Sequence, residues 1–204
     1  MRLIHTARIE LVEYTSPSTF PRYAILSHRW RNEEVLLHNI QEPDVVKTME
    51  GYSKIISCCT QARLDGYDWV WIDTCCIDKT SSSELSEAIN SMYMWYSKSE
   101  VCYAFLDDVR SDEDPKSEGS SFRRSTWFKR GWTLQELIAP SSVVFFAGDW
   151  VDIGTRTSLA YTIEDITRIE HSVLWSLPKT VSIARRMSWA SNRETTREED
   201  QATR

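Results

Sequence analysis

Glycine and proline are scarce in this chain, six of each in 204 residues. That is about half their ordinary combined share of roughly 12%, so turns are few and the regular elements long. Long hydrophobic runs are missing too. The longest purely apolar stretch, Val101–Leu106, is six residues, too short to span a bilayer. The first residues, MRLIHTARIELVEY, break up their apolar side chains with charges and hold no signal-peptide core. Positive charge is in deficit: 24 Lys and Arg stand against 30 Asp and Glu, a net −6. This balance speaks against nucleic acid or an anionic membrane as the main partner. No Asn-x-Ser/Thr sequon occurs. Four of the five cysteines sit in vicinal pairs, Cys58–Cys59 and Cys75–Cys76, which make poor disulfide partners. The expected setting is the cytoplasm, with reduced thiols. Several motifs are absent as well. There is no G-x-G-x-x-G, no G-x-x-x-x-G-K-[ST], no H-E-x-x-H and no pair of C-x-x-C. These absences argue against a dinucleotide fingerprint, a P-loop and a structural zinc site.

What is present is ordinary globular composition, 41% hydrophobic and 26% charged. Short apolar runs predict strands at Tyr23–Ser27, Trp69–Asp73, Val101–Leu106 and Val143–Phe146, with a further strand within 8–14. Helical spacing runs from Met49 to Leu64 and ends at Gly66. A second helix opens on the capping box Ser81-x-x-Glu84 and carries Leu85, Ala88, Ile89, Met92 and Tyr96 on one face. A third is expected from about Gly131 to Ile138. Alternating strands and helices with near-continuous apolar strands predict an α/β fold: a parallel sheet with helices on both faces. Two helical patterns near 158–169 and 181–190 predict an appended C-terminal helical layer. The expected organisation is a domain over 1–192, with its sheet core about 20–148 and the helical appendage about 149–192. The charged segment 193–204 reads as a tail cut from a longer chain.

In an open α/β sheet, ligands gather beyond the carboxyl ends of the strands. There the sequence places Ser27, His28, Arg29 and Trp30 after one strand, Asp73 after the next, and Asp107 and Asp108 after a third. Arg can fork onto a phosphate and Trp can stack on a flat ring. Taken singly, each of these residues is equally well a loop cap or an ion-pair partner. Cys58 and Cys59 read as helix-core packing, and a Cys75 or Cys76 nucleophile beside His28 lacks an orienting third group. Further on, Trp132 and Glu136 share one helix face at i and i+4. A carboxylate beside an indole is either a solvated helix residue or a desolvated catalytic group.

YAILSHRW (Tyr23–Trp30), WIDTCCIDKTSSSELSEAINSMYMWYSKSEVCYAFLDDV (Trp71–Val109) and RGWTLQELIAP (Arg130–Pro140) closely resemble the fungal heterokaryon-incompatibility (HET) domain. RRMSWASNRETTREED (Arg185–Asp200) is similar to that family's downstream segment. Arg31 departs from the pattern, which usually has Gly there. The resemblance implies a cell-death effector of fungal allorecognition, and more remotely a TIR-like, flavodoxin-like fold. Leu26-Ser27-His28-Arg29 and Ile72-Asp73 match TIR positions. Trp132-Thr133-Leu134-Gln135-Glu136-Leu137 matches the plant TIR pattern Trp-Cys-x-x-Glu-Leu, with Thr133 in the Cys place. In catalytic TIR domains that Glu is required for cleaving NAD+ at the nicotinamide–ribose bond. By this match Glu136 is the expected catalytic residue, with Ser27, His28, Arg29, Trp30, Asp73 and Trp132 as substrate contacts. NAD+ is then a substrate, with no separate cofactor or metal. The expected partners are NAD+, further copies of the chain, and an upstream recognition protein or domain. A rival reading is a non-catalytic module that self-assembles by mating its acidic loop, Asp107–Glu118, with the basic stretch Arg123–Arg130. A phospho-receiver-like domain fits least, because no Lys ends the strand Val143–Phe146.

Overall fold

A computed structural model describes residues 1–176, 182–191 and 193–194. The chain divides into two compact units, Met1–Tyr103 and Ala104–Arg204.

The first unit opens with a hairpin of β1 (Arg2–His5) and β2 (Glu10–Glu13), antiparallel with Arg2 opposite Glu13. Its turn holds neither Gly nor Pro; Ile9 takes φ 56, a conformation rarely adopted by a β-branched residue. Then come β3 (Ala24–His28), the short helices α1 (Leu37–Ile40) and α2 (Pro43–Val46), and α3 (Tyr52–Leu64). Gly66 ends α3 as its position predicts, with φ +82. The Gly66 N–H donates to the Arg63 carbonyl at 3.1 Å and the Tyr67 N–H to the Ala62 carbonyl at 2.8 Å, a Schellman ending. β4 (Trp69–Ile72) leads straight into α4 (Asp73–Cys76), followed by α5 (Ser82–Lys98). Ser81 caps α5, its hydroxyl accepting the Glu84 N–H at 3.3 Å. The expected return bond of the capping box goes elsewhere: the Glu84 carboxylate accepts the Asp78 N–H at 2.8 Å and pairs with the Arg2 guanidinium. β5 (Val101–Phe105) begins in this unit and is buried throughout.

The strands of the first unit are ordered β2-β1-β4-β3-β5. β3 runs parallel to β4, with Ile25 opposite Trp71, whereas β1 runs antiparallel to both β2 and β4. The sheet is therefore mixed, and the expectation of an all-parallel sheet is corrected. β1 and β2 are joined by four residues, a connection that can only make an antiparallel pair. Leu3, Ile4, Ile25, Leu26, Val70, Trp71 and Ile72 are wholly buried and form the centre of this unit.

In the second unit, the acidic loop after β5 is followed by α6 (Ser121–Arg124), a 3-10 turn over Thr126–Lys129, and α7 (Thr133–Ile138). β6 (Val143–Phe146) pairs antiparallel with β7 (Asp152–Thr155). No strand is expected over β7 from the sequence, because Asp152, Ile153, Gly154 and Thr155 show no apolar alternation. α8 (Ala160–Thr167), α9 (His171–Trp175) and α10 (Ile183–Ala190) supply the helices of the C-terminal part. Phe122, Trp127, Phe128 and Phe145 meet edge to face or tilted, with centroids 5.1 to 6.2 Å apart, and fill the core. Arg156 is buried and donates to the carbonyls of Leu137, Pro140 and Ser141 at 2.8 to 2.9 Å. Val181 and all of the charged tail except Arg193 and Glu194 lie outside the described residues. Among the described residues, no helix is long and apolar enough to cross a membrane.

Candidate functional site

The carboxyl ends of β3 and β4 are neighbours because the two strands are parallel and in register. Ser27 and His28 close β3 and are buried; Arg29 is half-buried and Trp30 is 43% exposed. Asp73 follows β4 directly. Its Oδ1 lies 2.9 Å from His28 Nε2, and its Oδ2 accepts the Trp30 indole N–H at 2.8 Å. One carboxylate thus fixes two nearby rim positions that the sequence offers as substrate contacts. Burial alone would raise the Asp73 carboxyl. The hydrogen bond and charge of His28, then the charge of Lys79, hold it far below the usual carboxylate range instead.

Three residues not singled out from the sequence complete the cluster. The Lys79 ammonium lies 3.7 Å from the centre of the Trp30 ring and 4.0 Å from Asp73 Oδ2. Burial pulls the Lys79 ammonium down, and Asp73 pushes it back up. Glu34 Oε1 lies 4.0 Å from His28 Nδ1, accepts the Arg31 N–H at 2.7 Å, and pairs with Lys54 at 2.5 Å. The Arg31–Glu34 bond spans only three residues, whereas the contacts of Lys79 with Trp30 and of Lys54 with Glu34 depend on β4 lying beside β3 and on α3 packing nearby. The Arg31 departure from the family pattern therefore falls at a backbone position already tied to Glu34.

Trp132 and Glu136 belong to the second unit. Trp132 is half-buried at the start of α7, and Glu136 is buried, 7% exposed, in the middle of that helix. The Glu136 side chain is therefore not that of a solvated helix residue. Thr133, in the Cys place of the TIR pattern, donates its hydroxyl to the carbonyls of Trp127 and Arg130 at 2.7 and 2.8 Å. It also accepts a hydrogen bond from the Arg193 guanidinium at 2.7 Å, which donates to the Arg130 carbonyl at 3.1 Å as well. Burial brings Arg193 down to about 10, while the negative charge of Glu136 acts to raise it. No sequence spacing links Arg193 to α7. Their connection comes from the backbone bridge that sets Glu194 beside Arg130.

All five cysteines are buried and reduced. Burial drives the Cys58 and Cys75 thiols well up and that of Cys59 up to about 12, so these three are not activated nucleophiles. Among the described residues, no group of three His, Cys, Asp or Glu side chains could hold a metal ion.

Residues 23–122 match the family model for heterokaryon incompatibility protein (HET), a stretch that contains the whole His28–Asp73–Lys79 cluster. The chain is also similar to vegetative incompatibility protein HET-E-1 of Podospora anserina, at 47% identity over 189 residues, 89% of this chain. It spans about 14% of that relative's length. Both matches are to incompatibility proteins. No solved structure matches the chain significantly.

Proposed function

We propose that this chain is the effector domain of a fungal allorecognition protein, TIR-like in design, which hydrolyses NAD+ at the nicotinamide–ribose bond with Glu136 as its catalytic carboxylate. The observation that carries this reading is the burial of Glu136 on α7, with Arg193 as its positive neighbour. An ionised carboxylate is kept inside a protein only against such a partner. A field acting from a water-poor position is worth more than the same charge in solvent. The strand order β4-β3-β5 supports the TIR-like part. Counting from β3, it reads 2-1-3, the beginning of the flavodoxin-like order. The printed name of the relative from Podospora anserina supports the role in incompatibility.

In this reaction nicotinamide departs as a neutral ring and takes the bonding pair, so no general acid is needed. Positive charge builds on the ribose, and Glu136 stabilises it, as carboxylates do in glycoside hydrolysis. Water then bonds to the ribose carbon and loses a proton, giving ADP-ribose, nicotinamide and H+. As partners the reading takes NAD+, further copies of the chain and an upstream recognition protein or domain. Assembly through the acidic loop finds less support. Asp108 accepts from Ser125 and Thr126, Asp112 from Arg110, and Glu113 from the Ser121 N–H, so these carboxylates are occupied within their own unit.

The test is nicotinamide release, resolved by chromatography, from the purified chain at high protein concentration beside Glu136→Gln and Glu136→Ala. Loss of a charge-stabilising group should cost about 10²–10³ in rate. Turnover retained in both variants, or absent from the parent at every concentration, overturns the proposal. The same assay on Arg29→Ala and Trp30→Ala tests those residues as substrate contacts.

A further inference from the structure

The basic stretch singled out in the sequence takes on a different meaning once its side chains are placed. The second unit holds a cavity of about 270 Å³ whose walls include Arg123 from α6, Lys129 from the 3-10 turn and Arg193 from beyond α10. Among the described residues, no carboxylate lines it, although the chain as a whole carries a net −6. Phe128 and Trp189, both buried, form the apolar part of the wall. Its two hydroxyls are already committed as donors, Ser125 to Asp108 at 2.7 Å and Thr167 to the Ile163 carbonyl at 2.7 Å. Among the described residues, the charged side chains of the wall are therefore all cationic.

The charge balance around these cations is incomplete. Arg123 donates to the Lys116 carbonyl at 3.2 and 3.3 Å and pairs with Asp165 at 3.2 Å, but the Asp165 side chain is 62% exposed and screened by solvent, so the guanidinium charge is only partly balanced. Arg193 feels Glu136. The Lys129 side chain is in no ion pair among the described residues, and Glu164, the other carboxylate of α8, is taken by His171 at 2.6 Å. Three converging cations repel one another, and part of that cost remains after Asp165 and Glu136 are counted. An oxyanion in the cavity would offset the rest. Guanidinium forks match phosphate oxygens geometrically, and a lysine adds a point charge.

We propose that this cavity is a phosphate-binding site, lined by Arg123, Lys129 and Arg193, for a small phosphorylated molecule. The site does not include Glu136 and stands whether or not the chain cleaves NAD+. Calorimetric titration of the whole chain with sodium pyrophosphate, at fixed ionic strength, tests it. The expected result is saturable one-to-one binding, weakened about tenfold in Lys129→Gln and again in Arg123→Gln. Arg124→Gln, whose side chain does not line the cavity, should bind as the parent does. Sulfate should compete only weakly, because it carries less charge than pyrophosphate. Absence of saturable heat overturns the proposal. So does binding that Lys129→Gln and Arg123→Gln leave unchanged while both keep the parent's circular dichroism and melting temperature.

Discussion

Replacing Asp73 should unsettle the first unit more than replacing any exposed carboxylate. In Asp73→Ala, His28 Nε2 loses its partner at 2.9 Å and the Trp30 indole loses its partner at 2.8 Å. Lys79 also loses the anion 4.0 Å away. The His28 side chain is 1% exposed, so water cannot readily take the carboxylate's place. A buried donor left unpaired costs about 1–3 kcal/mol, and breaking a buried charged pair costs about 3–5 kcal/mol. A total of about 3–4 kcal/mol follows if the two effects largely overlap. At about 2–4 °C per kcal/mol for a chain of this size, the melting temperature should fall by roughly 6–16 °C. Asp73→Asn keeps the shape and one acceptor but loses the charge. Its cost should be about 1–2 kcal/mol, or roughly 2–8 °C. Thermal melts followed by far-ultraviolet circular dichroism at neutral pH measure both. A parent-like melt for Asp73→Ala, or equal losses for Ala and Asn, would refute the reasoning. The pH dependence has a fixed sign. The folded-state Asp73 carboxyl is held below its ordinary value of 3.8, so its contribution is complete above that value and is lost as pH falls below it. The difference between parent and Asp73→Asn should therefore shrink in strong acid.

Three further outcomes are expected. Gly51→Ala would set a Cβ 2.5 Å from the Glu33 carbonyl oxygen, a backbone atom, and should cost about 1–3 kcal/mol in urea unfolding; an unchanged midpoint would show that the loop yields freely. Native thiols should resist a chromogenic disulfide reagent at pH 8, and all five should react once guanidinium is added, since burial holds Cys58, Cys59 and Cys75 protonated. A fast-reacting native thiol would contradict that assignment. Arg156→Met would take this donor from the buried Leu137 and Pro140 carbonyls and the part-buried Ser141 carbonyl and should lower stability by about 2–4 kcal/mol, read from the denaturant midpoint.

The regular elements that bury both faces were legible in the sequence. β3, β4, β5 and β6 announce themselves as short apolar runs, and α5 by its spacing and its Ser81 cap. What escaped reading lacked a local signal. The hairpin turn before β2 uses Ile9 at positive φ where Gly or Asn would be expected, so β1 could not be anticipated as an antiparallel partner. β7 pairs along an edge with no fully buried residue. Of the candidate site, the residue types at the strand ends could be named but not their pairing. That Asp73 serves His28 and Trp30 follows from the register of β3 on β4, which a linear sequence does not display. Lys79 reaches Trp30, Lys54 reaches Glu34, and Arg193 reaches Thr133 through space alone. Glu136 was found through the WTLQEL pattern, and its burial only through packing.

The outermost strand of the first unit carries one more consequence. β2 is four residues long and ends the sheet order there, with Glu10 and Glu13 both exposed and Arg8 paired to Glu10 at 2.9 Å. An uncovered strand is a template on which another extended segment can lengthen the sheet without limit. Here any added strand would have to bring its backbone alongside two fixed negative charges, and only a very short ladder would form in return. The glutamates act as a guard rail. They let the chain be present at high concentration without seeding fibres through its own edge.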